Sequence, residues 1–400
     1  MTTDSIQTPA AGMPRSGVNL HQDEILLDPY PTYAELRETG PVVWLDTYNM
    51  YALPRYAEVI AVLNDPATFT STQGVGFNEY FNSIRETSLM TDGEHHAEIR
   101  RIEGGPLRPR PLRELTPRLR EFAEKLVADV VERKSFDAVP EFARKMPLEI
   151  ISELVGMEGV GPERLFQWGV AGFDSIGPLW ANRTQDALQT MAGYFEWAAE
   201  NVPGCIRKGS WADQVFVNGK ETGWTEEFCR GVMNDYIYPS VDSTINSIAA
   251  GVLYFGQNPD QWQMLRENRA LMDSAVPEIV RLAAPLQFFT RAVTTDTQIA
   301  GVTIPKDSRV LVMFGSANRD GRQFPDPDKL DITRDPRQHV GWGWGLHACL
   351  GKPVAQMEMA TLFDVLADHV ERIEIHDFEY KPNNIIRGLG RLQVTVTKSP

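Results

Sequence analysis

Residues 342–351 read Trp-Gly-Trp-Gly-Leu-His-Ala-Cys-Leu-Gly, and an amphipathic helix is predicted to begin just after them, near Lys352. The glycines allow a tight loop that can approach a planar ligand closely, because glycine has no Cβ atom. Cys349 falls just before the predicted helix start, where backbone N–H groups point toward the sulfur and favour the thiolate over the thiol. His347, two residues earlier, can contact an anion. The stretch therefore predicts a thiolate ligand beside a closely packed planar group.

Two other interpretations of this stretch are less specific. Gly341, Gly343 and Gly345 could form a dinucleotide-binding loop, but no strand-forming run leads into them and their spacing is not that of the fingerprint. Cys349 taken alone is more typical of a small buried apolar side chain than of a ligand. The residues around it favour the ligand.

The stretch resembles the haem-binding loop of bacterial cytochromes P450, with Trp342 where the family usually has Phe. The resemblance covers nearly the whole chain. Glu278 and Arg281 match the family's Glu-x-x-Arg, and this spacing puts both side chains on one helix face, where they can pair and anchor the downstream segment. A Glu-x-x-Arg alone is usually an exposed surface pair. Its place in the family's order, before Phe-Pro-Asp-Pro at 324–327 and before Cys349, gives it weight.

The resemblance implies a mainly α fold with small β-sheets, the cytochrome P450 fold, and a haem b (iron protoporphyrin IX) whose iron is bound by Cys349. It also implies contacts to the two haem propionates, which need charged or donor partners when buried. The residues at the family's positions are His96, Arg100, Arg291, His339 and His347. Any one of these side chains alone could instead be solvated at the surface.

The resemblance places an acid–alcohol pair on a long distal helix, where it delivers protons to bound dioxygen. Asp242, Ser243 and Thr244 match this catalytic motif, and Ser243 keeps a hydroxyl where the family usually has Thr. Without the threonine methyl its χ1 angle is less restricted, so looser proton control is expected. Pro239 and Ser240 replace the usual small residues. The alternative for Ser243 and Thr244 is a hydrogen bond back to a carbonyl one turn earlier.

By the same resemblance, the substrate pocket is lined by the loop after Thr70, the region near Phe173, the distal helix and the segment after Pro285. Each candidate could also be an ordinary core residue. The candidates are Val75, Phe77, Phe81, Phe173, Ile176, Tyr236, Ser240, Leu286, Phe288 and Phe289.

Several stretches resemble bacterial P450s that oxidise para-substituted benzoates and methoxyaromatics. Those relatives hold the substrate carboxylate with basic residues, whereas the matching places here are Gln73 and Asn234–Asp235, and Arg85 is the remaining candidate cation. We therefore expect a neutral substrate, a 4-alkyl methoxyphenol that undergoes O-demethylation, with Phe77, Phe288 and Phe289 against the ring. A para-substituted benzoate is the alternative.

Electrons must come from another protein, because the sequence has no flavin or iron–sulfur signature. A [2Fe-2S] ferredoxin with its reductase, or a reductase carrying a [2Fe-2S] domain, would suit a basic patch on the thiolate side of the haem. The residues expected to form it are Arg100, Arg101, Arg108, Arg110, Arg113 and Lys352. A peroxide-using P450 and a haem protein without turnover remain alternatives, because the distal motif departs from the usual one.

The bulk composition agrees with a large enzyme of a reducing compartment. The net charge of -15 argues against nucleic acid as a partner. The 3 cysteines, at 205, 229 and 349, are far apart and do not resemble a disulfide framework. Neither a signal peptide nor an apolar run of about 18 residues is visible. A cytoplasmic protein without membrane contact is expected.

Helical periodicity dominates after residue 55, and the N-terminal residues 1–25 are predicted to be a flexible segment before a single domain at 26–400. Short strands are predicted at 42–45, 50–53 and 308–313. The pattern over 225–255 predicts one long helix, in which Pro239 causes a kink near 235–240. Further helical patterns lie near 57–64, 116–134, 141–155, 161–200, 259–268, 272–284 and 350–369.

Overall fold

The computed structural model of the chain describes residues 12–400. As expected, the fold is mainly α-helical. The α-helices are, in chain order, α1 (Asp23–Leu27), α2 (Tyr30–Thr39), α3 (Tyr56–Leu63), α4 (Glu79–Asn82), α5 (Gly93–Glu103), α6 (Pro109–Arg133), α7 (Lys145–Val155), α8 (Pro162–Asp174), α9 (Asn182–Asn201), α10 (Trp211–Thr222), α11 (Glu226–Met233), α12 (Tyr238–Gln257), α13 (Pro259–Glu267), α14 (Met272–Ala283), α15 (Phe314–Ala317) and α16 (Lys352–His369).

The strands form small sheets beside the helices. They are β1 (Arg15–Ser16), β2 (Val43–Leu45), β3 (Met50–Leu53), β4 (Phe69–Thr70), β5 (Ser135–Asp137), β6 (Phe289–Val293), β7 (Thr297–Ile299), β8 (Val302–Ile304), β9 (Arg309–Val312), β10 (Val370–Lys381) and β11 (Gly388–Lys398). A mixed sheet has the order β1-β2-β3-β9-β6-β4, an antiparallel sheet has the order β10-β11-β5, and β7 pairs with β8. The strands predicted at 42–45, 50–53 and 308–313 correspond to β2, β3 and β9.

The N-terminal part of the described chain is packed rather than flexible. Strand β1 pairs in parallel with β2, and the carbonyl of Pro14 accepts a hydrogen bond of 2.9 Å from Trp44 N. Leu20 is buried, and the His21 ring packs edge-on against Phe77. These contacts tie residues 12–25 to the rest of the fold, which the polar composition of the predicted flexible segment 1–25 did not reveal. Residues 1–11 lie outside the described residues.

The predicted long helix over 225–255 is two helices. Helix α11 ends at Met233, a 3-10 turn covers Asn234–Tyr236, and α12 begins at Tyr238. Pro239 lies in the first turn of α12, where the N–H group that proline lacks would have had no helical acceptor. The chain therefore breaks where a kink was predicted. From Val241 to Phe255 nearly every α12 residue is buried, so this helix runs through the core.

The Glu-x-x-Arg pair is buried and is not an exposed surface pair. The Arg281 guanidinium donates to both Glu278 carboxylate oxygens at 2.7 and 2.8 Å, and both side chains are almost fully buried. Arg281 also donates to the carbonyls of Asn318 and Pro327. Arg334 donates to Glu278 at 3.2 Å. The pair therefore anchors the segment that leads to the cysteine loop.

The buried apolar side chains form two cores. One joins the helices around α12, and the other joins the mixed sheet to α2 and α3. Within residues 12–400, no helix is both long enough and apolar enough to cross a membrane.

Candidate active site

The loop before α16 depends on its glycines. Gly343 and Gly345 have φ angles of 67° and 64°, a left-handed conformation that other residues rarely adopt. A Cβ atom on Gly345 would lie 2.7 Å from the carbonyl oxygen of Leu63, which is closer than packing allows. Cys349 N donates to the carbonyl of Trp342 at 2.7 Å and closes the loop. The glycines thus let the chain turn so that Cys349 lies just before α16.

The Cys349 sulfur lines a large cavity between this loop and α12. Burial raises the pKa of the thiol, while hydrogen bonds from the Gly351 and Lys352 N–H groups and the charge of Arg100 lower it. These N–H groups belong to the start of α16, so the predicted helix-terminus effect is present. No cluster of three or more metal-binding side chains occurs within residues 12–400. Cys349 could be the one protein ligand of a metal whose other ligands come from a cofactor.

Buried cations with few partners line the same cavity. Arg291 is 3% exposed, and its guanidinium donates to the Thr290 carbonyl at 2.8 Å. Burial lowers its pKa to about 10 against the opposing charge of Asp92, and no carboxylate forms an ion pair with it within residues 12–400. The Nε atom of Arg100 is buried and has no hydrogen-bond partner among residues 12–400. Two such cations fit the carboxylates of an anionic cofactor.

Two histidines lie on this side of the cavity, of which His347 belongs to the wall formed by the described residues and His96 lies behind it. His347 Nε2 is 2.7 Å from Asp92 Oδ1, while its Nδ1 atom is buried and without a partner in the described chain. Burial lowers the pKa of His347 to about 4, and the hydrogen bond that its ring donates to Asp92 opposes this decrease. His96 lies beside His347, with ring centroids 4.6 Å apart, and its ring nitrogens lie near the carbonyls of Ser88 and Leu346. The predicted propionate residues His96, Arg100, Arg291 and His347 are therefore together.

His339 is placed differently from the other four. It is buried behind the loop, where its Nδ1 atom accepts a hydrogen bond of 3.3 Å from Gly341 N. Burial lowers its pKa to about 3, so the ring is neutral. It is absent from the cavity wall formed by the described residues. In this structure His339 supports the glycine loop.

The distal motif lies on the first turns of α12. Ser243 and Thr244 line the cavity, whereas Asp242 is buried and does not belong to the lining among residues 12–400. Ser243 Oγ donates to the Pro239 carbonyl at 3.0 Å, which is the back-bonded arrangement considered as the alternative. Asn246 donates to Asp242 Oδ1 at 3.1 Å. Burial raises the pKa of Asp242 to about 6, and the charge of Lys381 opposes the rise.

Comparison with known proteins identifies this arrangement. The family model for Cytochrome P450 matches residues 241–374, which include the distal motif, the Glu-x-x-Arg and the cysteine loop. Cytochrome p450 CYP199A2 of Rhodopseudomonas palustris is 34% identical, over 97% of this chain and 95% of its own. This chain belongs to the cytochrome P450 family. Its members are haem b monooxygenases, so this P450 is an O2-dependent oxidoreductase that binds haem b.

Other relatives agree with the family assignment. The linalool 8-monooxygenase of Pseudomonas putida is 27% identical, over 92% of this chain and 95% of its own. The solved structure of cytochrome P450 CYP109Q5 from Chondromyces apiculatus superposes with a TM-score of 0.78 at 26% identity, and the match covers 96% of this chain and 99% of that one. The predicted fold is therefore confirmed along nearly the whole chain.

Most of the predicted substrate residues lie on the cavity wall of this P450. They are Phe81, Phe173, Ile176, Tyr236, Ser240, Leu286 and Phe289.

Val75, Phe77 and Phe288 are not among the described residues that line the cavity. Phe77 and Phe288 pack edge-to-face with centroids 5.7 Å apart, and both pack around His21. Val75 is fully buried in the same core. The prediction that Phe77, Phe288 and Phe289 together clamp the substrate ring therefore does not match this structure. Phe288 precedes strand β6, which begins at Phe289, and of the two only Phe289 lines the cavity among residues 12–400.

The residues considered as partners of a substrate carboxylate fall into two groups. Asn234 and Asp235 line the cavity, whereas Gln73 and Arg85 are absent from its described lining. Arg85 is exposed and donates to the carbonyls of Asn82 and Ile84 in its own loop. It therefore does not supply a cation to the cavity.

Two acids that line this cavity were not predicted from the sequence. Glu358, on α16, is 1% exposed, and neither carboxyl oxygen has a partner among residues 12–400. Burial raises its pKa to about 8. Glu103 is fully buried at the end of α5. The position of Glu358 in the sequence could have indicated its burial, because it falls on the apolar face of α16, near Ala355, Leu362 and Met359.

Proposed function

We propose that this P450 O-demethylates a neutral, para-substituted methoxyphenol of the 4-alkylguaiacol type, with O2 and with electrons from an iron–sulfur redox partner. One observation carries the proposal. Asn234 and Asp235 line the cavity at places where the resembling benzoate-oxidising P450s have basic residues. An amide and an acid at these places disfavour a carboxylate substrate.

The rest of the cavity strengthens this argument. Arg85 folds back onto its own loop, and the cations that do line the cavity, Arg100 and Arg291, lie with the histidines that suit the haem carboxylates. A buried substrate carboxylate without a cation would lose several kcal/mol, on the order of the penalty for an unpaired buried charge. A neutral ring avoids this penalty.

The apolar wall suits an aromatic ring with an alkyl tail. Phe81, Phe173 and Phe289 line the cavity and can contact a ring by edge and face, while Ile176 and Leu286 add aliphatic surface. Pockets for small organic molecules have this composition, with a few polar groups that fix orientation.

When bound through Cys349, the haem supplies the activation of dioxygen. Arg100, Arg291 and His347 on the cavity wall, with His96 beside His347, would hold its carboxylates, and the glycine loop keeps Cys349 on the same wall. The overall change is balanced: the methoxyphenol, O2, two electrons and two protons give the diphenol, formaldehyde and water. Hydroxylation of the methoxy carbon yields a hemiacetal that loses formaldehyde, which requires only that this methyl group lie nearest the iron.

Ser243 is the proton-donating hydroxyl in this proposal. Its O–H now points to the Pro239 carbonyl, so it must rotate about χ1 to reach a ligand in the cavity. Serine rotates more easily than threonine, because it lacks the γ-methyl group. Buried Asp242, with its pKa raised by burial to about 6, is a suitable proton source near neutral pH.

The proposed electron donor is an acidic [2Fe-2S] ferredoxin or a reductase that carries such a domain. The exposed basic residues lie at the end of α5, at the start of α6 and at the start of α16; they are Arg101, Arg108, Arg110, Arg113 and Lys352. Lys352 is only three residues from Cys349. A basic patch beside the thiolate suits an acidic electron donor.

The test compares 4-propylguaiacol with 4-methoxybenzoate. We expect 4-propylguaiacol to give the larger low-to-high spin change of the haem, tighter binding and formaldehyde in proportion to NADH consumed. Tighter binding and faster formaldehyde release from the benzoate would contradict the proposal. The same assay is repeated with hydrogen peroxide in place of NADH. Product formed with peroxide alone would indicate a peroxide-using enzyme, and no product under either condition would indicate a haem protein without turnover.

A further inference from the structure

Two acids meet on the cavity wall. Glu103 ends α5, Asp235 lies in the 3-10 turn between α11 and α12, and both line the cavity. Ser88, which donates to Asp235, and the charge of Asp235 both act on the Glu103 carboxyl group, so the two acids are neighbours. Two neighbouring carboxyl groups do not both ionise readily, because like charges repel each other.

The two acids are held differently. Asp235 Oδ2 accepts hydrogen bonds from Ser88 N at 2.7 Å and from Ser88 Oγ at 2.9 Å, so its position is fixed by the neighbouring loop. Glu103 is fully buried, and neither of its carboxyl oxygens has a well-aligned donor within residues 12–400. Tyr236 donates to the backbone carbonyl of Glu103 and leaves the carboxyl group free.

No cation neutralises this pair directly. Neither acid forms an ion pair with a Lys, Arg or His side chain in the described part of the chain. Arg100 is the nearest charge that acts on Glu103, and it lies on the side of the cavity that suits the haem carboxylates. Burial first, and Asp235 second, raise the pKa of Glu103 well above its usual range. Asp235 is half-buried whereas Glu103 is fully buried, so the Asp235 carboxyl group is the acceptor of the pair that a ligand in the cavity can reach.

We propose that Glu103 and Asp235 form a recognition subsite that accepts a hydrogen bond from an O–H group of the substrate and excludes anionic substrates. This inference rests on the proposed function and deepens it: the phenol hydroxyl of a methoxyphenol is the group that the pair binds. An acceptor with ionic character forms stronger hydrogen bonds than a neutral one. A buried acceptor that faces an ether instead of a hydroxyl is left unsatisfied.

The test uses two ligands that differ only in this donor, 4-propylphenol and 4-propylanisole. Their dissociation constants are measured from the spin change of the haem in the full-length holoprotein. We expect the wild type to prefer the phenol by about ten- to a hundredfold, the effect typical of a hydrogen bond to a charged group. In the double variant Glu103→Gln, Asp235→Asn the preference should fall at least about fivefold, because the Asp235 carboxylate becomes a neutral amide.

Controls separate recognition from folding. Glu221→Gln changes an exposed acid on α10 in the same way and should keep the wild-type preference. Asp235→Asn alone provides a milder variant if the double variant does not fold, as judged by its carbon monoxide spectrum. The double variant should also bind 4-methoxybenzoate more tightly than the wild type does, because the repelling charge is gone.

Two results would overturn the inference. One is an unchanged ratio of the two dissociation constants in the variants, and the other is a wild type that binds both ligands equally or binds neither. These results concern binding alone. A failure of the proposed function would appear separately, as no formaldehyde from 4-propylguaiacol in the wild type.

Discussion

Glu358 makes the stability of the protein depend on pH. The carboxyl group is almost fully buried on α16 and has no partner within residues 12–400, and burial raises its pKa from 4.5 to about 8. Below pH 4.5 the group is neutral in both the folded and the unfolded chain. Between pH 4.5 and 8 only the unfolded chain ionises it, so the free energy of unfolding decreases as the pH rises.

The size of the effect follows from the two pKa values. A change from 4.5 to about 8 corresponds to roughly 4 to 5 kcal/mol of lost stability between these pH values. Glu358→Gln removes the ionisable group and keeps its shape, so most of this pH dependence should disappear. At pH 5 the variant and the wild type should differ little, and at pH 8 the variant should be more stable.

The assay is urea unfolding of the haem-free protein, followed by circular dichroism at several pH values from 5 to 8. Asp174 and Asp242, with pKa values raised by burial to about 7 and about 6, add a dependence of the same sign that remains in the variant. Comparing the two slopes isolates Glu358. Equal slopes in the variant and the wild type would refute the argument that the buried carboxyl group stays neutral.

Two substitutions test other parts of the site. Ser243→Ala should lower product formed per NADH several-fold and raise peroxide release, because the distal hydroxyl is lost; unchanged coupling would assign this role to Thr244 or to water. Arg291→Leu should speed haem loss to apomyoglobin by about ten- to a hundredfold, since a charge-assisted hydrogen bond is removed. The same substitution should not lower the stability of the haem-free protein, where Arg291 is a buried cation in no ion pair within residues 12–400. Haem release at the wild-type rate would mean that Arg291 does not contact the propionates.

The parts of the fold that were predicted from sequence depend on local pattern. The glycine loop before Cys349 and the Glu278–Arg281 pair have a fixed spacing, and the structure places both as expected. Pro239 indicated where the helical pattern is interrupted before α12. It did not indicate that the interruption is a break between two helices and not a kink. A kink and a break look alike in sequence, because both follow from one missing N–H group.

The parts that were missed depend on contacts between distant residues. Glu103 and Asp235 meet on the cavity wall, but they are far apart in sequence and each looks like an ordinary surface acid. Phe77 and Phe288 were predicted from the sequence to line the pocket, but they pack around His21 in the N-terminal core. Aromatic residues suit a core and a pocket equally well, so composition could not separate the two.

The central claim is that Cys349 binds the haem iron as a thiolate. The most direct measurement is the difference spectrum of the reduced protein with carbon monoxide, for the wild type, Cys349→Ala and the control Cys205→Ala, whose cysteine lies away from the cavity wall. The wild type and Cys205→Ala should both show the red-shifted Soret band of thiolate ligation, and Cys349→Ala should lack it. A red-shifted band that persists in Cys349→Ala would contradict the claim.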